Sequence, residues 1–273
     1  MNNKSFMVTK ASGEREIFSL EKYRRSLRRS GLNDQEIDEV LSGVQGSLNG
    51  PITTRDLYGK TFEILRGKNP LSASKYSLKE ALRLLGPTGF PFEYLIAAVL
   101  MREGFAVKVG QVVSGTCVDH EIDVLAKNDK EYFLVECKFH NGAGIKTDVQ
   151  TTLYLKARFD DLIAGGEINF TRIMLATNTK FTQEATRYGT CINMRLLSWG
   201  YPEGNGLEKL IEQHKLYPIT ALTSLKKGEK QLLLQEGLVT CQDILENMNR
   251  LTSLRISKSV LTLLQEECRS LLR

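Results

Sequence analysis

An α/β core built on a mixed sheet, preceded by a mostly helical unit and followed by a small helical unit, is what the sequence predicts. Three observations carry this. Apolar residues at three- and four-residue spacing dominate residues 20–85 and 207–272. Short apolar runs suited to strands cluster between 105 and 199. Segments rich in Gly and Pro, Gly86-Pro87-Thr88-Gly89 and residues 200–206 (GYPEGNG), separate the three regions. At 273 residues, 41% hydrophobic and 25% charged, the chain is too long for one typical domain, and domains are expected at 1–86, 87–200 and 201–273.

The first region opens on FMVTKASGEREIFSL, where Ser12-Gly13 reads as a hairpin turn between two short strands. Helical patterns follow at 20–30, 34–48, 53–66 and 71–85, with Thr53 or Thr54 able to cap the third. In the second region, 91–103 reads as a helix and 105–113, 118–126 and 131–138 as strands. A helix at 146–164, a strand at 170–176, a helix at 181–189 and a strand at 194–199 complete the order αβββαβαβ. The third region carries only helical periodicity. Internal repeats and low-complexity segments are absent from the sequence.

Bulk properties narrow the function classes. The start, MNNKSFMVTK, has no apolar stretch of the signal-peptide kind, and no apolar run approaches the roughly 18 residues of a membrane span, so a cytoplasmic location is expected. Cys117, Cys137, Cys191, Cys241 and Cys268 are scattered without zinc-ligand spacing and read as reduced thiols. The formal charge of +5 is compatible with a polyanionic partner.

The chemistry concentrates in VDHEIDVLAKNDKEYFLVECK, residues 118–138, two apolar strands around the turn Lys127-Asn128-Asp129-Lys130. If the turn centres between Asp129 and Lys130, Asp123 lies opposite Glu136, with Cβ atoms about 5 Å apart. Moving the turn by one residue makes them diagonal, yet both stay on one sheet face, which Lys138 shares. Two carboxylates held this close repel unless a cation lies between them, and oxygen-only ligands suit Mg²⁺. Such an ion polarises a phosphodiester and acidifies the attacking water. Lys138 then orients or deprotonates that water, or stabilises the transition state. The alternative is a plain cross-strand salt bridge between Lys138 and one carboxylate. Glu121 shares the face of Asp123 by alternation and is a further candidate; His120 points the other way and reads as structural. Lys146 and the glycines of HNGAGIK (140–146) are suited to phosphate contacts or to a solvated loop.

IDV at 122–124 with VECK at 135–138, set in this order of elements, resembles the PD-(D/E)xK nuclease superfamily, and within it the Mrr-type restriction endonucleases. The likeness spans residues 88–199, with Ile122 standing where the superfamily name has Pro. It implies a restriction-endonuclease-like fold, Asp123 and Glu136 as metal ligands, Lys138 as the catalytic lysine, Glu93 as a further acidic ligand and Gln150 as an active-site glutamine. Residues 6–86 resemble the ATP-cone, a nucleotide-binding regulatory domain, through Val8, Lys10, Gly13, Phe18, Lys22 and Leu27. That likeness implies ATP or dATP as an effector, its triphosphate held by Lys10 and Lys22; Ala11 stands where the family usually has Arg. The alternative is a domain that docks on the nuclease or mediates self-association. Residues 222–245 resemble a degraded helix-hairpin-helix, with Leu225-Lys226-Lys227-Gly228 in place of its glycine-rich turn.

The reading is thus a Mg²⁺-dependent DNA endonuclease of restriction or defence, regulated by ATP or dATP, and a homodimer if it cuts both strands. A second reading keeps the fold without the reaction: a nucleotide-responsive DNA-binding protein with a vestigial metal site. A third is a nuclease of RNA or branched DNA.

Overall fold

The computed structural model describes residues 7–10, 13–47, 52–166, 168–254 and 256–273. Strands β1 (Met7–Thr9) and β2 (Arg15–Ile17) form the expected antiparallel hairpin. Ala11 and Ser12 lie outside the described residues, but Gly13 takes φ +83°, a left-handed turn conformation, and its amide donates to Lys10 O at 2.9 Å. Helices α1 (Leu20–Arg29) and α2 (Asp34–Ser47) lead to β3 (Ile52–Thr53), which pairs parallel with β1 and is too short to show as a sequence pattern. Thr53 caps α3 (Thr54–Lys68) through a reciprocal box with Asp56. The helix expected over 71–85 is two, α4 (Pro70–Tyr76) and α5 (Leu78–Arg83), parted at Ser77, where the serine hydroxyl turns back to Ser74 O at 3.0 Å. Tyr23, Leu27, Ile37, Val40, Leu57 and Leu65 form the core of this unit.

Next come α6 (Phe90–Arg102), β4 (Ala106–Ser114), β5 (Asp119–Lys127), β6 (Tyr132–Lys138), β7 (Lys146–Thr147), α7 (Val149–Gly165), β8 (Arg172–Thr177), β9 (Lys180–Phe181), α8 (Gln183–Cys191) and β10 (Arg195–Leu197). The five-stranded sheet has the order β10-β8-β6-β5-β4, antiparallel across β4, β5 and β6 and parallel across β6, β8 and β10. The continuous apolar run Phe133-Leu134-Val135 places β6 at the centre, where both faces are covered. Phe92, Leu95, Val99 and Leu100 of α6 pack on Val124, Phe133, Val135 and Met174. Leu155 and Leu162 of α7 pack on Ile122, Leu134, Ile173 and Leu175 from the other side. The pair β7 and β9, a parallel ribbon beside the main sheet, lies at the starts of segments expected to be helical.

After residue 206, α9 (Leu207–His214), a 3₁₀ turn (Ile219–Ala221), α10 (Lys227–Gln235), α11 (Cys241–Glu246), α12 (Met248–Leu251) and α13 (Lys258–Leu272) complete the chain. Their apolar faces do not form a separate core. Leu82 of α5, Phe92 of α6, Leu210 and Ile211 of α9, and Leu264 of α13 belong to one buried cluster with Val124 of β5 and Val135 of β6. A carboxylate ties the helical ends of the chain together. Glu267 of α13 accepts from Ser74 Oγ of α4 at 2.8 Å, and from Thr223 N, Thr223 Oγ1 and Ser224 N at 2.7, 3.0 and 3.0 Å. Glu267→Ala strands these donors and is expected to cost about 2–4 kcal/mol. An unchanged midpoint in urea unfolding would show that the junction does not depend on it.

Candidate functional site

Of the two registers open to the turn, the observed one centres between Asp129 and Lys130, with Val124 opposite Val135 and Lys127 opposite Tyr132. The ladder stops at Val124 and Val135, one step before Asp123 and Glu136. There the strands part: β6 continues along β8, pairing Glu136 with Leu175 and Lys138 with Thr177. The Asp123 carboxylate enters the gap, and its Oδ2 accepts the Cys137 amide at 2.6 Å. On the other side of β5 the pairs Val109–Val124 and Gln111–Ile122 flank Gly110, which takes φ +62° beside Asp123. Ile122 packs with the α7 cluster and Val124 with the α6 cluster, so β5 rotates at Asp123.

Glu136 faces α7. Its Oε2 accepts from Arg158 Nη1 at 2.6 Å, with the two side chains 19% and 10% exposed. Arg158 Nη2 donates to Glu121 O, and the guanidinium stands 5.6 Å from the Tyr154 ring centre. Burial, then the Glu136 charge, raises the Asp123 carboxyl to about 6. Glu93, in the first turn of α6, is raised to about 7 by burial and then by Asp123, Glu121 and Glu136. Glu93, Glu121, Asp123 and Glu136 thus crowd one end of the sheet, with the Arg158 guanidinium bonded among them. Oxygen donors in excess of positive charge fit a hard divalent cation. Among the described residues the carboxylates do not close into a cage of three or more ligands. Mg²⁺, which keeps several waters and takes one or two carboxylates, fits such an open arrangement.

Lys138 lies two residues beyond Glu136 on the same strand, exposed and without an ion pair among the described residues. Gln150 is exposed in the first turn of α7. Four-residue steps put Gln150, Tyr154 and Arg158 along one stripe of that helix, and α7 runs antiparallel to β6 in the crossover to β8. A step from Arg158 to Tyr154 covers ~6 Å, close to the ~6.6 Å from Glu136 to Lys138, which brings Tyr154 level with Lys138.

His120 is engaged away from the carboxylates. Its Nε2 lies 2.8 Å from Asp161 Oδ2, and Asp161 also accepts the Cys117 amide at 2.8 Å, which holds the turn between β4 and β5 against α7. That His120 bond, foremost, lowers Asp161 to about 2. A Cβ on Gly115 would fall 2.1 Å from Asp161 Oδ2, so glycine is required there.

In the first unit, Val8 is 3% exposed and belongs to the interior. Lys10 Nζ is paired with Glu14 at 3.1 Å and Glu16 at 2.8 Å. Lys22 sits in the first turn of α1, and its charge also acts on Glu16. Lys10 thus pairs with the Glu16 carboxylate, and the Lys22 charge acts on the same group. In the tail, the Glu229 carboxylate takes the Lys226 amide at 2.6 Å, at the start of α10 where a helix-hairpin-helix would receive a phosphate.

Arg158 is the residue that sequence reasoning missed. Its signal is its place between Leu155 and Leu162 on the buried stripe of α7, where a charge requires a partner.

A mixed sheet forked around an acidic cluster, with a helix on each face, occupies residues that match, over 85–199, the family described as restriction endonuclease. Residues 217–272 match the family described as AF1548-like, C-terminal. An uncharacterised protein of Archaeoglobus fulgidus is 42% identical over 149 residues, 55% of this chain and 83% of that protein. The crystal structure of AF1548, a protein of unknown function, superposes with a TM-score of 0.58 at 35% identity, over 67% of this chain and 98% of the other. The chain belongs to the AF1548-like family. Among the described residues no helix is long and apolar enough to cross a membrane.

Proposed function

We propose that the protein is a Mg²⁺-dependent endonuclease that hydrolyses DNA phosphodiester bonds in the cytoplasm, in restriction or defence. What supports this reading is that β5 and β6 part just beyond the Val124–Val135 pair, with Asp123 accepting the amide of Cys137, the residue next to Glu136, inside the endonuclease-matched region. Asp123 and Glu136 hold the metal, with Glu93 as a further ligand, directly or through water. When bound, the ion polarises the phosphodiester and acidifies the attacking water. Lys138 carries its ammonium toward the same face and holds the water or the developing phosphorane charge. Gln150 orients substrate or water from the α7 stripe. Arg158 keeps one Glu136 oxygen engaged and leaves the other for the ion.

The test is incubation of the purified chain with supercoiled plasmid, linear duplex and single-stranded DNA, with Mg²⁺ or EDTA. Nicking that needs Mg²⁺ and is lost in Asp123→Asn is expected; cutting that survives the substitution would overturn the site. Preference for RNA or branched DNA would move the substrate and keep the centre. The Arg158–Glu136 pair favours one alternative, a DNA-binding protein in which the guanidinium has replaced the metal. DNA binding without nicking under any condition would decide for it.

The division into 1–86, 87–200 and 201–273 and assembly as a homodimer, which double-strand cleavage requires, belong to the same proposal. So does an ATP-cone role for the first domain, with ATP or dATP near Lys10, Gly13 and Lys22. Binding there must break the pairs of Lys10 with Glu14 and Glu16, so weak affinity is expected. A rise in Tm at about millimolar ATP or dATP is the expected result, and no shift would remove the effector.

A further inference from the structure

Beyond the carboxylates, lysines that make no ion pair among the described residues gather near the same end of the sheet, with the Glu16 charge acting on Lys180 and the Glu208 charge on Lys79. Strands β7 and β9 bring Lys146 and Lys180 into register as directly opposed partners. Like charges so placed are destabilising. The ribbon nevertheless is held firmly: Thr147 Oγ1 lies 3.0 Å from His140 Nε2 and 3.1 Å from Thr177 Oγ1, and Thr182 N donates to Thr147 O at 2.9 Å. Thr177 pairs with Lys138 across β6 and β8, which links the ribbon to the candidate centre.

On its other side the ribbon reaches the helical unit. Thr179 O accepts the Trp199 amide at 3.1 Å, and Lys79 of α5 places its ammonium 6.0 Å from the Trp199 ring centre. Arg83 of α5 donates to Asn141 O at 3.1 Å and anchors that helix to the loop after β6. Packing around its ammonium, and next the Lys180 charge, hold Lys79 below the usual lysine range, although the residue keeps an exposed edge. Lys138, Lys146 and Lys180 are also exposed, and none of the four makes an ion pair among the described residues. Nearby acids are engaged: Glu16 with Lys10, and Glu208 with Arg29.

We infer that Lys146, Lys180 and Lys79 continue from Lys138 as a track for the phosphate backbone of DNA, carrying the strand from the nuclease sheet onto α5. The inference rests on the nuclease reading for its substrate and adds to it the path that the substrate takes. Backbone contacts of this kind position a duplex without reading its sequence.

The test measures binding of a labelled duplex in EDTA across a salt series, for the full chain, for the triple variant Lys79→Gln, Lys146→Gln, Lys180→Gln, and for Lys127→Gln with Lys130→Gln at the far end of the β5–β6 hairpin. The triple variant is expected to lower the slope of log K against log salt by about 2.7, roughly 0.9 per lost contact, and to weaken binding for every duplex sequence. The hairpin variant should bind like the native chain. A triple variant with native slope, or one matched by the hairpin variant, overturns the track. So does a triple variant that loses RNA binding but keeps DNA binding. The two readings separate cleanly. Mg²⁺-dependent nicking with an unaffected slope keeps the nuclease and removes the track; a track-dependent slope without any nicking does the reverse.

Discussion

Asp123→Asn is expected to lower Mg²⁺-dependent cleavage by about three orders of magnitude or more, a loss of ~4 kcal/mol in transition-state stabilisation. It should at the same time stabilise the metal-free fold at neutral pH. The carboxyl is raised to about 6 by burial and by Glu136, so its charge opposes folding when no cation is present. The sign follows from linkage. A carboxyl with a raised folded pKa binds its proton more tightly when folded; its penalty is greatest above about pH 6 and fades as the pH falls toward 4. At pH 7 the penalty is on the order of 1–3 kcal/mol. Asn keeps an acceptor for the Cys137 amide and removes the charge. Urea unfolding in EDTA across this range should show the native chain gaining on the variant as the pH is lowered, and Mg²⁺ should close the gap at neutral pH. Parallel curves for the two proteins would mean that Asp123 is not an uncompensated charge.

Arg158→Met should act in the opposite direction. The substitution fills much of the same space but leaves Glu136 and the Glu121 carbonyl without their donor. Breaking one side of a largely buried ion pair costs about 3–5 kcal/mol. The loss should appear in metal-free urea unfolding at neutral pH. A divalent cation should restore part of it by neutralising Glu136, so added Mg²⁺ raises the Tm of the variant more than that of the native chain. A cost below about 1 kcal/mol would show that the pair contributes as little as an exposed one.

These two residues differ in how far the sequence exposes them. Asp123 and Glu136 can be put on one sheet face from the order of residues alone, because the two-residue period holds for either register of the turn. The structure selects the register in which Val124 lies opposite Val135. Arg158 lies 22 residues beyond Glu136 in another element, and only packing of α7 on the sheet brings them together. The opening of the ladder at Asp123 also leaves no local mark, since it shows only in where β6 stays paired, with β8 to Lys138 but with β5 no further than Val135. Gly110 and Gly115 are visible as glycines, but what they accommodate, a turn of β4 beside Asp123 and the carboxylate of Asp161, comes from distant elements.

Periodicity, turn chemistry and the cost of burying an unpaired carboxylate by themselves determined the αβββαβαβ order of the long elements in the central domain, its hairpin and the acidic pair on one face, because each acts over a few neighbouring residues. Long-range packing decided the rest: the fork that admits Asp123, the guanidinium on Glu136, the engagement of Lys10 by Glu14 and Glu16, and the apolar core shared from α5 to α13. Those features depend on which faces meet in three dimensions, and spacing along a chain carries no record of that until the faces are in contact.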